Sequence, residues 1–158
     1  NVDEGSAAEG NAFVDSIRPI ASAEGAELLV ISAKIESDIV QMDKEDQQEF
    51  LEDLGLKESG MDRLIHGAYQ LLKLETYFTA GEKEVRAWTI QRGTKAPQAA
   101  GVIHTDFEKG FIRAEVISFE DYEKYESEAA VKEAGRFRIE GKEYVVQDGD
   151  VMHFRFNV

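Results

Sequence analysis

The densest collection of chemically capable side chains in this 158-residue chain is His104-Thr-Asp106-Phe-Glu108, an imidazole and two carboxylates within five residues. Such a trio could ligate a metal or relay a proton if its members converged. Neither the strand period nor the helix period brings all three to one point. The expected role of His104 is therefore to cap or hydrogen-bond a turn. His66, beside Ile65 on an amphipathic stretch, reads as a surface or boundary residue. His153 alternates with Met152 and Phe154 and reads as the exposed position of a strand. The chain has no Gly-x-Ser-x-Gly elbow, no His-Glu-x-x-His and no Gly-rich loop ending in Lys-Ser or Lys-Thr. No catalytic residue and no metal ligand is assigned. A metal-dependent enzyme built on His104, Asp106, Glu108 and His153 stands last among the readings.

Binding chemistry is better represented than catalysis. The formal net charge is −14, which opposes indiscriminate nucleic-acid binding, because that requires cations to displace counterions from phosphates. The charge is uneven. Residues 1–72 hold 16 acids and 5 bases (−11), and residues 73–158 hold 16 acids and 13 bases (−3). Between Arg86 and Arg113 five bases, Arg86, Arg92, Lys95, Lys109 and Arg113, face only Asp106 and Glu108. A local basic face on an acidic protein can direct binding to RNA. Trp88 beside Arg86 would add a ring-plus-cation surface for unpaired bases if it were exposed. Trp88, Phe107, Phe111, Phe154 and Phe156 are all expected in the core rather than as base-stacking platforms.

The elements that must position these residues follow from periodicity and punctuation. Asn11 to Ala23 has helical spacing (Phe13, Val14, Ile17, Ile20, Ala21) with Asn11 as N-cap, Pro19 as a bend or a late helix start, and Gly25 as stop. Glu27 to Ile31 reads as a parallel strand covered on both faces. Ser37 to Leu54 reads as one acidic helix ended by Gly55. Ser59-Gly-Met-Asp62 opens a further helix in the manner of a capping box, burying Met61, Leu64, Ile65, Ala68, Leu71 and Leu72. A hairpin is expected around Gly81-Glu82, a strand from Val116 to Tyr125 followed by an acidic, aromatic connection, and a helix over Glu128 to Arg138. Gln147-Asp148-Gly149-Asp150 then enters the final strand.

There is no cysteine, hence no disulfide framework. No apolar run approaches the roughly 18–20 residues that span a bilayer, so no membrane partner is expected. The chain opens Asn-Val-Asp-Glu, without Met, a basic n-region or an apolar h-region; this fits a fragment or a processed chain and gives no sign of a signal peptide. Cytoplasm is the expected compartment.

The stretches IHTDFEKGFIRAEV and DGD before the terminal strand closely resemble the TGS domain that ends the YchF/Obg-like ATPases. The resemblance runs on to Asn1. Asn1-Val-Asp-Glu4 is similar to the family's Asn-x-x-Glu, which replaces the Asn-Lys-x-Asp of GTPases, so guanine loses its two-point acidic partner. Ser32-Ala33-Lys34 resembles the base-contacting loop of P-loop proteins. The resemblance implies a fold of α+β class: the last α/β portion of a P-loop G domain (1–56), a connecting helix (57–74) and a C-terminal β-grasp, ubiquitin-like TGS domain (75–158). It implies base contacts from Asn1, Val2, Glu4, Ser32 and Ala33, and ATP and Mg²⁺ as cofactors of a parent ATPase that prefers ATP to GTP. Neither is expected bound to this chain. The implied partner is the ribosome (large subunit) or RNA, met by the TGS domain through Arg86, Arg92, Lys95, Lys109 and Arg113. The alternative is a stand-alone β-grasp regulatory or RNA-binding module that hydrolyses no nucleotide.

Overall fold

Side-chain caps set where the first helices begin. In the computed structural model, which describes residues 1–81 and 84–157, Asp3 caps a 3-10 turn over Glu4–Ser6 by accepting from the Ser6 amide at 2.9 Å. Asn11 accepts from the amides of Phe13 and Val14 and so opens α1, Ala12–Glu24. Gly25, at φ 65°, closes it in the left-handed conformation. Pro19 lies within α1 rather than delaying its start. Helix α2 spans Ala33–Ile39, α3 Lys44–Asp53 and α4 Gly60–Leu71. Ala7, Ile35, Ile39, Leu51 and Leu56 form their shared core.

Three expectations for this region are corrected. Residues 27–31 form no strand; one backbone bond, Val2 N–H to the Ile31 carbonyl at 2.9 Å, ties the segment down. A strand exists only with a ladder of neighbours, and the described residues supply none here. The single helix expected over Ser37 to Leu54 is two, because Asp43 caps a fresh start at α3 through the Asp46 amide. The apolar stripe of α4 is exposed: Met61, Leu64, Ile65, Leu71 and Leu72 each keep 45–59% of their surface in water. The capping box at its start does form, with Ser59 Oγ accepting from the Asp62 amide at 3.1 Å. The helix packs instead through Gly60, where an added Cβ would lie 2.6 Å from Glu36, and through Gly67 beside Leu29.

The second compact unit begins at Leu72, the first being Asn1–Leu71. Strands β1 (Leu74–Ala80) and β2 (Val85–Gln91) form the antiparallel hairpin, with Glu82 of the expected turn outside the described residues. Helices α5 (Ala96–Ile103) and α6 (Thr105–Lys109) follow, then β3 (Phe111–Ser118), α7 (Phe119–Tyr125), α8 (Glu128–Glu133), β4 (Arg138–Glu140) and β5 (Asp150–Phe156). The sheet order is β2-β1-β5-β3-β4, with β5 parallel to β1 and the other pairs antiparallel. This is a β-grasp arrangement, with α5 laid across one face. Ala96, Ala99 and Ala100 are fully buried, so the helix backbone approaches closely enough for Tyr77 Oη to donate to the Ala99 carbonyl at 2.8 Å. Phe111, Ala114, Val116, Met152 and Phe154 complete that core. Phe156 is half-buried and stacks on Phe107 at 3.9 Å between centroids. Gly110 is obligatory, since a Cβ there would sit 2.1 Å from the Asn157 carbonyl oxygen.

The strand expected over Val116 to Tyr125 instead begins at Phe111 and ends at Ser118; residues Phe119–Tyr125 are helical, because Ser118 caps α7 by accepting from the Asp121 amide. The expected 128–138 helix stops at Glu133; Gly135 turns left-handed at φ 69° and Arg138 already belongs to β4. The entry to β5 is fixed by Asp150, which is 2% exposed and accepts from Arg138 Nη2 (3.0 Å), Tyr144 Oη (2.6 Å) and the Gln147 amide (3.0 Å). Removing one partner of such a buried ionic network leaves the others uncompensated. Asp150→Ala should cost about 2–4 kcal/mol in urea unfolding, less than a fully buried pair because Arg138 keeps 40% of its side chain exposed. Asp150→Asn, which retains an acceptor, should lose less. A loss under about 1 kcal/mol for the alanine variant would show that the network is not holding the sheet.

Candidate functional site

Two groups of residues singled out by type assemble in the structure to different degrees. In the first unit Asn1 Oδ1 accepts from the Ala33 amide at 2.9 Å, across 32 residues of chain, while Val2 N–H donates to Ile31. Asn1 thereby commits its carbonyl oxygen, and its amide nitrogen is the donor it can offer elsewhere. Ser32 is 2% exposed at the N-cap of α2, yet makes no capping bond, and its buried Oγ lacks a hydrogen-bond partner. Glu4 lies 3.6 Å from Lys34 Nζ, which also pairs with Asp38. The Asp38 hydrogen bond, outweighing partial desolvation, holds the Lys34 ammonium above its usual range. Asn1, Val2, Ser32 and Ala33 thus meet in one corner, with Glu4 reaching it through Lys34. The corner could present an amide donor and backbone groups to a flat heterocycle; it contains no phosphate-binding loop.

The five basic residues of the second unit do not form one patch. Strand register separates Arg86, opposite Thr79 near the hairpin tip, from Arg92 beyond the other end of β2. Six residues of strand are roughly 20 Å. At the Arg92 end, Arg92 pairs with Glu75 (3.1 Å) and Lys95, preceding α5, pairs with Glu143 (2.6 Å). At the opposite end Lys109 closes α6. Arg113 on β3 lies 3.5 Å from Glu115. Sequence reasoning missed Arg155, whose guanidinium grips the same Glu115 with two bonds of 3.0 Å. Arg113 and Arg155 are register partners across β3 and β5, both about half exposed. Two arginines thus share one carboxylate on the sheet face away from α5, with Glu128 a further acid beside Arg155. The alternation His153–Phe154–Arg155 was the available signal, since it puts Arg155 on the outward face.

The histidines behave as their spacing predicts. His104 caps α6, with Nδ1 accepting from the Asp106 amide at 3.2 Å. His66 is exposed and paired with Glu58, and His153 is exposed on β5. Glu108 turns toward Gly101, not toward His104. Among the described residues no three His, Asp or Glu side chains come together to hold a metal ion. No helix among them is long and apolar enough to cross a membrane.

The class defined by this geometry is an α+β chain in which a helical unit precedes a β-grasp sheet. A family model described as "YchF-GTPase_C: Protein of unknown function (DUF933)" matches residues 74–157. The "Ribosome-binding ATPase YchF" of Pasteurella multocida (strain Pm70) is 59% identical over 150 residues, 95% of this chain and 41% of that protein. The protein of the same name from Bacillus subtilis (strain 168) is 58% identical over 160 residues, 100% of this chain and 44% of its own length. The solved Schizosaccharomyces pombe YchF GTPase superposes with a TM-score of 0.80 at 39% identity, covering 93% of this chain and 39% of that one. A GTP binding protein from Pyrococcus horikoshii OT3, at 17% identity and TM-score 0.65, shares the fold. The chain belongs to the YchF family and corresponds to the C-terminal part of its members. It spans about two-fifths of the length of the curated relatives it matches.

The Glu115 cluster makes a pH-dependent prediction. The Arg155 hydrogen bonds, followed by its charge and those of His153 and Arg113, hold the Glu115 carboxyl below the usual carboxylate range against partial desolvation. A depressed carboxylate stabilises the fold above its unfolded pKa of about 4.3, and that contribution fades as pH falls through the folded value. In Arg155→Met, an NMR titration should move the Glu115 midpoint upward and remove part of the acid dependence of stability. An unmoved midpoint would mean that Arg155 does not hold the charge.

Proposed function

We propose that this chain serves a ribosome-associated, cytoplasmic ATPase that prefers ATP to GTP. In this reading residues 1–56 complete the base side of a P-loop nucleotide site, 57–74 connect, and 75–158 act as a TGS domain that docks on the ribosome, at RNA of the large subunit. The observation that carries it is the reach of the similarity. Identity of 58–59% to proteins named ribosome-binding ATPases extends over 95–100% of the chain, through both the Asn1–Ala33 corner and the sheet. A stand-alone β-grasp module would have no need of the first. In this reading the phosphates and Mg²⁺ are bound by the rest of the ATPase, and this chain contributes only the base side.

Base choice follows from what stands at the second and fourth positions. An Asp at the fourth place accepts two hydrogens from guanine, and a Lys stem packs over the base; here Val2 and Glu4 replace them. Glu4 is moreover drawn toward Lys34, which turns its carboxylate away from a guanine-reading role. In the intact protein, Val2→Lys with Glu4→Asp should raise GTP use relative to ATP. Competition kinetics with an unchanged ratio would assign base selection to pocket shape instead.

The docking cations proposed are Arg86, Arg92, Lys95, Lys109 and Arg113. Arg92 and Lys95 offer the cleanest test, because they sit at one end of the sheet and apart from its core. Reversing both to Glu should weaken ribosome co-sedimentation and reduce the slope of log affinity against log salt, by less than the roughly 2 of two free cations because Glu75 and Glu143 already hold them. An unchanged urea midpoint serves as the control for folding. If the doubly reversed protein sediments with ribosomes like wild type, these two cations are solvated surface.

A further inference from the structure

We propose that Arg86 and Trp88 form a stacking platform for an unpaired RNA base, resting on the RNA-docking reading above and specifying the chemistry of one contact. The two side chains share the α5-side face of β2, two residues apart, and the Arg86 guanidinium carbon lies 4.1 Å from the centroid of the indole ring. The indole is held in place from behind. Its Nε1–H donates to Thr79 Oγ1 at 2.9 Å, and the ring packs against the core that includes Tyr77 and Ile90. Arg86 in contrast keeps 55% of its side chain exposed, and its acidic neighbour Glu84 stands 4.0 Å away, at the limit of an ion pair.

A guanidinium held over an indole is screened from water on the ring side, while the rest of the Arg86 side chain stays open to solvent. Guanidinium is weakly hydrated and planar, so its outward face favours a second flat π system over a point charge. The surroundings fit a base. Register pairs Phe78 with Val151 in parallel, which sets Ala80 level with His153 and lets β5 run on past the end of β1. The gap is a cleft of about 530 Å³, lined beside Trp88 by Ile103, Phe107 and Phe156. Lys109, two residues after Phe107 on α6, supplies a cation at the same end of the sheet for the adjoining phosphate. A base inside a duplex has both faces stacked already, so the platform selects single strands.

Trp88 is the sole tryptophan of the chain and reports directly on the site. Residues 1–158 are titrated at low ionic strength with a single-stranded oligoadenylate and with a duplex RNA of equal length. Saturable quenching of Trp88 by the single strand, with at least tenfold weaker response to the duplex, is expected. Arg86→Lys, which keeps the charge and loses the plane, should weaken the single-strand response about tenfold, within the range for one stacked base, with unchanged emission in the absence of RNA. Equal response to duplex, or an Arg86→Lys variant that binds like wild type, would make Arg86 an ordinary phosphate contact and overturn the platform. Quenching by an arginine-rich peptide in place of RNA would overturn it in favour of a protein partner. Ribosome co-sedimentation of the same wild-type chain separates the two levels. Sedimentation without quenching by the single strand sinks the platform and leaves docking intact, whereas quenching without sedimentation sinks the docking reading.

Discussion

The buried carboxylate of Asp150 is the constraint on which the sheet depends. A charge that is 98% removed from water is tolerated only if its lone pairs are filled, and Arg138, Tyr144 and the Gln147 amide fill them. Those three partners come from β4 and from the loop before β5, so the carboxylate gathers an otherwise irregular stretch around the start of the central strand. Neighbouring bonds extend the clasp: Asp148 accepts from the Thr76 amide at 2.7 Å, Gly149 N–H donates to the Thr76 carbonyl, and Phe119 N–H donates to the Gly149 carbonyl. One turn thus links β1, α7, β4 and β5. Burial and this hydrogen bond push the Tyr144 hydroxyl up to about 12, which keeps it a donor throughout the physiological range.

With β5 fixed, the positions of the other strands follow, and with them the fate of each cation. Register across β3 and β5 places Arg113 opposite Arg155, so one glutamate is shared by two guanidinium groups. Register across β1 and β2 places Arg86 opposite Thr79 and sends Arg92 to the far end. The five bases that are neighbours in charge-count terms are therefore distributed between opposite ends of the sheet. A window of residues has no knowledge of direction, and an antiparallel turn converts adjacency in sequence into distance in space.

The parts of the fold legible beforehand were those governed by local chemistry. Asn11, Gly25, the Ser59–Asp62 box, the hairpin strands and the Asp148-Gly149-Asp150 turn each act through atoms a few residues apart, and each is found in the structure. What failed depended on distant partners. Residues 27–31 have the composition of a buried strand, but strand formation is a property of a pair. The α4 stripe has the right period, yet period identifies an apolar face without saying that anything covers it. The break at Asp43 was hidden because acids and Gln suit helix interior and N-cap alike. In the site, the Asn1–Ala33 bond joins residues 32 apart and was accessible only through family resemblance, while Arg155 was missed because its partner Glu115 lies 40 residues away.

Charge alone would be a poor basis for the RNA recognition proposed for this sheet. Most of its candidate cations are already committed: Arg92 to Glu75, Lys95 to Glu143, Arg113 and Arg155 to Glu115. A committed cation gains little from a phosphate, because the exchange gives up one carboxylate for another anion and releases fewer counterions. At physiological ionic strength, screening over about 8 Å also limits both attraction and repulsion between exposed charges to near contact. The net charge of −14 then neither forbids docking nor helps it. What remains is short-range complementarity, and Arg86 differs from the other arginines in that respect. Its ion pair with Glu84 is at the edge of range, and its guanidinium carbon lies 4.1 Å from the centroid of the Trp88 ring. A cation held over a ring contributes through shape and dispersion as well as through charge, which is the kind of contact an acidic protein can make with a polyanion.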